Sequence, residues 1–73
     1  MTHLHPKKLL LTKWTAVTPI DRQKHFLVVE VVLPDDPAAA IESIRIEAVM
    51  TKARQQIDWR SLRDESLWRQ GWV

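Results

Sequence analysis

The sequence predicts a small mainly-β domain: three to four antiparallel strands in an SH3-like or half-barrel sheet, with short helical turns near the C-terminal end. Three observations carry that expectation. Two β-branched and aromatic runs, Lys13–Thr18 and His25–Leu33, are separated by a polar connection of hairpin length. Ile44, Ile46, Ala48 and Met50 alternate with Arg45, Glu47, Val49 and Thr51, and this period of two is kept for eight residues. The chain has 73 residues and no cysteine. It is therefore expected to be a single domain held by apolar burial or by a partner, because disulfides and cysteine-based metal sites are excluded.

The elements follow in order. Residues 1–7 are polar and are expected to lack structure. In the first strand, Lys13-Trp14-Thr15-Ala16-Val17-Thr18, the β-formers run until Pro19, which is expected to end the strand because it cannot donate to a ladder. The second strand, His25–Leu33, is apolar at both alternating sets, Leu27/Val29/Val31/Leu33 and Phe26/Val28/Val32. Strands apolar on both sides are covered on both sides, so a tightly curled sheet is expected here in preference to a flat open one.

Asp36-Pro37-Ala38-Ala39-Ala40 has the cap, first-turn proline and alanines of a helix start. A helix over residues 37–50 therefore competes with a strand at Ser43–Thr51 preceded by a loop or single helical turn at 35–41. The period of two favours the strand. Farther on, Gln55-Gln56-Ile57 reads as a short fourth strand. Asp58 is placed to cap a turn through Trp59–Leu62, and Asp64 or Ser66 to start another through Leu67–Gln70. Gly71, the only glycine, stands where a helix stop needs positive φ.

The formal net charge of +2 hides a segregation: residues 1–25 carry +4, residues 26–50 carry −4 and residues 51–73 carry +2. Basic ends suit nucleic acid only if the cations gather on one surface, and the acidic middle opposes that. Nothing in the chain reads as an export signal or as the roughly 20 apolar residues of a membrane span. A cytoplasmic protein with no membrane partner is the expectation.

The strings Lys8–Pro19, Lys24–Val28, Glu47–Lys52, Trp59–Leu62 and the closing Trp68-Arg69-Gln70-Gly71-Trp72 resemble a short tryptophan-rich family of bacterial conserved hypothetical proteins. The resemblance spans about residues 7–72 and is weakest at Pro34–Ala40. It implies a bacterial cytosolic source, and it supplies neither an activity nor any residue role to carry over.

Four tryptophans against one phenylalanine and no tyrosine make the indoles the principal candidates for both core and function. Each ring buries roughly 150–250 Å² when enclosed. Trp14 and Trp59 are expected in the core. Trp68 and Trp72, with Arg54, Arg60 and Arg69, are the candidate partner- or nucleic-acid-binding residues, since an exposed indole beside a guanidinium grips a peptide or stacks on a base. The remaining polar groups point elsewhere. His3 and His5 are too few for a structural zinc. His25 is expected to be a sheet-edge or partly buried histidine. Ser61, Ser66, Asp58, Asp64 and Glu65 lack a glycine-rich elbow or phosphate loop, and no catalytic, cofactor or metal site is assigned. The expectation is a non-enzymatic protein-interaction module, with a sequence-tolerant RNA- or DNA-binding accessory protein as the alternative. The oligomeric state is left open.

Overall fold

The computed structural model describes residues 4–20 and 22–73. A 3-10 turn at Pro6–Lys8 leads into strands β1 (Lys13–Ile20), β2 (Gln23–Val32), β3 (Ser43–Ala48) and β4 (Arg54–Asp58), then a second 3-10 turn at Trp59–Arg63, and last β5 (Trp68–Gln70). The strands form one antiparallel sheet in the order β4-β3-β2-β1-β5. Mainly-β architecture is therefore what forms, with five strands among the described residues where three to four were expected. The sheet is open, and its two edges are β4 and β5.

One face of the sheet carries the core. Trp14 and Ala16 of β1, Phe26 and Val28 of β2, Ile44, Ile46 and Ala48 of β3 and Trp68 of β5 lie on it, covered by Leu9 from before β1 and by Trp59 and Leu62 of the second 3-10 turn. The register brings these residues together across strands: Trp14 stands opposite Phe26, Phe26 opposite Ala48, and Val28 opposite Ile46. The outer face is largely polar. Lys13 stands opposite Leu27, Leu27 opposite Glu47, and Glu47 opposite Arg54, a row across four strands.

The apolar content of both alternating sets in β2 has a different cause from the one expected. The β2–β3 pairing slips between Val28 and Glu30, so Val29 is the extra residue of a β-bulge. A bulge inverts the side-chain alternation downstream of it. Phe26 and Val28 face the core before the bulge and Val31, opposite Ile44, faces it afterwards. Phe26 and Val28 of one set and Val31 of the other thus share the core face, while Leu27 and Val32 stand on the outer face and Leu33, past the end of the strand, is 70% exposed.

Three further expectations are corrected. Pro19 does not end β1, which runs on to Ile20; it lies where the β1–β2 register is irregular between Thr15 and Ile20, a stretch that asks less of a missing N–H. β3 stops at Ala48, because residues 49–51 turn back toward β4 with Ala48 N–H donating to Ala53 and Lys52 N–H donating to Ala48. Met50 therefore leaves the core face and is solvent-exposed. Residues 68–70 form a strand in place of a helical turn, since the free edge of β1 offers Trp14, Thr15 and Ala16 as ladder partners. Leu4 packs against the core and Pro6 and Lys7 begin the first 3-10 turn; residues 1–3 lie outside the described residues.

Other readings are met. Residues 35–39 make a single turn, with the Ala38 N–H donating to the Asp36 carboxylate and Ala39 N–H to the Asp36 carbonyl, and no helix spans 37–50. Asp58 caps the second 3-10 turn by accepting from the Arg60 backbone N–H at 2.9 Å. Asp64 starts a turn through Leu67 and accepts from the Ser66 N–H.

Candidate functional site

The structure separates the five candidate residues. Trp68 is buried, 9% exposed, on the core face, where its ring meets Phe26 edge-on with centroids 5.3 Å apart. It is part of the core. Its position follows from the β5 register, which sets it opposite Ala16; the alanine leaves room for the indole.

Trp72 is 41% exposed on the opposite face. Gly71, at φ +85°, turns the chain out of β5 and sends it across the outer face. The Trp72 indole N–H donates to the Phe26 carbonyl at 3.0 Å. The Lys13 ammonium lies 4.7 Å from the indole centroid, a cation–π contact, and the His25 ring is 6.0 Å away. Buried Thr15 holds the turn from below: its hydroxyl donates to the Gly71 carbonyl at 2.6 Å and accepts from Val73 N–H at 3.1 Å. His25, half-buried on central β2, has Nε2 3.0 Å from the Val73 carbonyl oxygen. Trp68 and Trp72 thus clasp the sheet from its two sides.

Arg69 follows Trp68 on β5, stands opposite Thr15 and is exposed, so it shares the outer face with Trp72. Beside them on that face Val17 and Leu67 are exposed and joined by the Val17 N–H to Leu67 carbonyl bond. Arg54 and Arg60 lie at the other edge of the sheet and are engaged. Arg54 Nε pairs with Glu47 at 2.9 Å. Arg60 grips Asp58 through Nε at 3.0 Å and a second guanidinium nitrogen at 2.9 Å. That grip, followed by the Arg60 backbone N–H, holds the Asp58 carboxyl below its ordinary value, and the Asp58 carboxylate in turn raises Arg60. Asp64 is lowered in the same way by the Ser66 hydroxyl and then the Ser66 N–H. Arg45 is also paired, with Glu30 at 2.6 Å.

The two interior indoles are fixed by polar contacts as well as by packing. Trp14, 2% exposed, donates to the Thr12 hydroxyl at 2.9 Å. Trp59 donates to the Ile41 carbonyl at 2.8 Å and carries the Arg63 guanidinium 4.6 Å from its ring centroid. Both were expected inside. The participation of Lys13, Thr15 and His25 in holding Trp72 was missed, and no local pattern signals it, because those partners lie in β1 and β2, far from Trp72 in sequence. Among the described residues no group of three or more His, Cys, Asp or Glu side chains is placed to hold a metal ion. His3 lies outside the described residues, and His5 is exposed.

These features define a small open-sheet domain whose C-terminal segment is clasped by tryptophans on both faces. The chain belongs to the tryptophan-rich protein family DUF2389, whose model matches residues 12–73. The match runs through the Pro34–Ala40 stretch. No curated protein and no solved structure matches the chain. No helix among the described residues is long and apolar enough to cross a membrane.

Proposed function

We propose that the chain is a non-enzymatic protein-interaction module acting in the cytoplasm, and that the outer face along β1 and β5 is its contact surface. The observation that carries this reading is Trp72. Its indole is fixed by a hydrogen bond and a cation–π contact yet stays 41% exposed, with Val73 exposed next to it in the chain and Val17 and Arg69 exposed on the same face of the sheet. A half-buried aromatic held rigid by a neighbouring lysine, on a face that also carries an exposed arginine, loses little entropy on binding and supplies a large contact area, which is the make-up of an interface hot spot. The polar groups that an enzyme would need free are engaged structurally: the Ser61 hydroxyl donates to the Asp58 carbonyl, Ser66 donates to Asp64, and Asp58 caps a turn.

The nucleic-acid alternative is the weaker reading, because Arg45, Arg54 and Arg60 are each paired with a carboxylate and Trp14, Trp59 and Trp68 are buried. Affinity capture with nuclease-treated extract compares wild type with Arg69→Glu and Trp72→Ala. Specific partner proteins should fall by about tenfold or more with Arg69→Glu, a loss of roughly 1.4 kcal/mol, while far-UV circular dichroism is unchanged. Equal capture by wild type and Arg69→Glu removes this surface from consideration. Material that vanishes on nuclease treatment favours the alternative.

A further inference from the structure

We infer that the open edge of β4 pairs with the β4 edge of a second copy of this chain, antiparallel and centred on Gln56, to give a symmetric dimer with a continuous ten-stranded sheet. The inference rests on backbone phase, edge chemistry and charge, and is independent of the Trp72 surface.

Trp59 N–H donates to the Glu42 carbonyl at one end of the β3–β4 ladder, and Ala48 N–H donates to the Ala53 carbonyl at the other. Antiparallel ladders alternate between hydrogen-bonded and non-bonded pairs. With Ile44 opposite Ile57 and Ile46 opposite Gln55, residues 55 and 57 therefore direct their backbone groups at β3. Residues 54, 56 and 58 direct theirs outward. Among the described residues β4 has no strand on that side. The Asp58 carbonyl takes a bond there from the Ser61 hydroxyl, which leaves Arg54 and Gln56 presenting donors and acceptors to an open edge.

Proteins usually blunt such an edge with proline, an inward charge, a bulge or a covering segment. Arg54-Gln55-Gln56-Ile57-Asp58 contains no proline or glycine, and its pairing with β3 is regular throughout. The second 3-10 turn, which follows directly, sends Trp59 and Leu62 into the core of the sheet.

Charge then selects the partner. A two-fold axis at Gln56 sets Gln56 opposite itself, Gln55 opposite Ile57 of the copy, and Arg54 opposite Asp58 of the copy. The strand is thus complementary to itself in antiparallel register, as an isologous interface requires. Glu47 already stands opposite Arg54, and Arg60 is bound to Asp58. The outer face of the joined sheet would run Glu47, Arg54, then Asp58 and Arg60 of the copy, alternating in sign, where opposed like charges would repel. The outward-facing pairs coincide with this register, so Gln56 meets Gln56 as a hydrogen-bonded pair. An edge of five residues is a small interface, and the dimer is expected to depend on concentration.

The test is the oligomeric state of the full chain. Sedimentation equilibrium from about 10 µM to about 1 mM, the range suited to a small interface, should carry the mass from 8.6 kDa toward twice that value. Gln56→Lys puts a charge against its own copy and should hold the mass at the monomer value with the same circular dichroism. The absence of native cysteine gives a second arm that does not depend on that variant folding. Gln56→Cys places the sole thiols about 5.5 Å apart between Cα atoms, within disulfide reach, and should oxidise to a covalent dimer. Gln55→Cys leaves them about 8 Å apart and should cross-link at least about tenfold more slowly. A wild type that stays monomeric at the highest concentration, a dimer that survives Gln56→Lys, or equal cross-linking at 55 and 56 would overturn the inference.

Discussion

Trp68 and Trp72 are four residues apart in sequence and on opposite faces of the sheet, so replacing each by alanine separates packing from exposure. Trp68 is 9% exposed; enclosing roughly 150–250 Å² of indole contributes about 4–6 kcal/mol at ~25 cal/mol per Å². Alanine keeps a little of that area, and the cavity relaxes in part, giving an expected loss of about 3–5 kcal/mol. Trp72 is 41% exposed, so its burial is worth only about 2–4 kcal/mol on the same scale. Freeing the backbone of Trp72 and Val73 returns roughly 1–2 kcal/mol per residue. The net cost of Trp72→Ala should therefore lie near 0–2 kcal/mol. A domain of this size is stable by roughly 4–11 kcal/mol at 0.05–0.15 kcal/mol per residue. Trp68→Ala should thus lower the melting temperature by at least roughly 12 °C or leave the chain unfolded, and Trp72→Ala should leave a cooperative transition. Urea unfolding followed by far-UV circular dichroism is the suitable assay, because either substitution alters the indole fluorescence. A Trp72→Ala loss equal to or larger than that of Trp68→Ala would refute the reasoning from burial.

Three more perturbations probe the rest of the molecule. Deleting Val29 removes the bulged residue and leaves Glu30 opposite Arg45 and Val31 opposite Ile44 in an unbroken alternation; the variant should still fold with native-like chemical shifts in β3, and a chain that fails to fold would contradict the assignment of the bulge. Trp14→Ala, at a ring 2% exposed, should cost about 3–5 kcal/mol, and a melting temperature within a degree or two of wild type would remove it from the core. The carboxyls of Asp58 and Asp64 are depressed in the folded chain by Arg60 and by Ser66, so their contribution is present above the ordinary aspartate value of about 3.9 and is lost as pH falls through the folded values. Asp58→Asn with Asp64→Asn should be less stable than wild type at neutral pH, with the gap closing below about pH 4; a gap constant from neutral to acid would exclude the linkage.

Much of the fold was legible in the sequence because its signals are local. Residues 13–18 and 25–33 read as strands from β-branched and aromatic content, and Ile44, Ile46 and Ala48 read as one face from their period of two. Asp58 and Asp64 read as turn caps from side-chain chemistry that acts within two or three residues. The tryptophan-rich pattern read as a family signature for the same reason, since the spacing of rare residues survives without any knowledge of their contacts.

The candidate site was legible only as a set of residue types. The interior positions of Trp14 and Trp59 could be read, but which of Trp68 and Trp72 faces solvent depends on the pairing of β5 with the free edge of β1, a contact more than fifty residues apart in sequence. The same distance hid the hold of Lys13, Thr15 and His25 on the Trp72 segment. The Val29 bulge was hidden for another reason: two apolar alternating sets are the same string whether a strand is covered on both sides or slips by one residue and stays covered on one. The sequence by itself determined the strand-forming segments, the caps and the stock of indoles. Their division between the two faces was decided by the tertiary structure, because register and edge pairing minimise exposed area over the whole sheet and no local stretch of chain contains that sum.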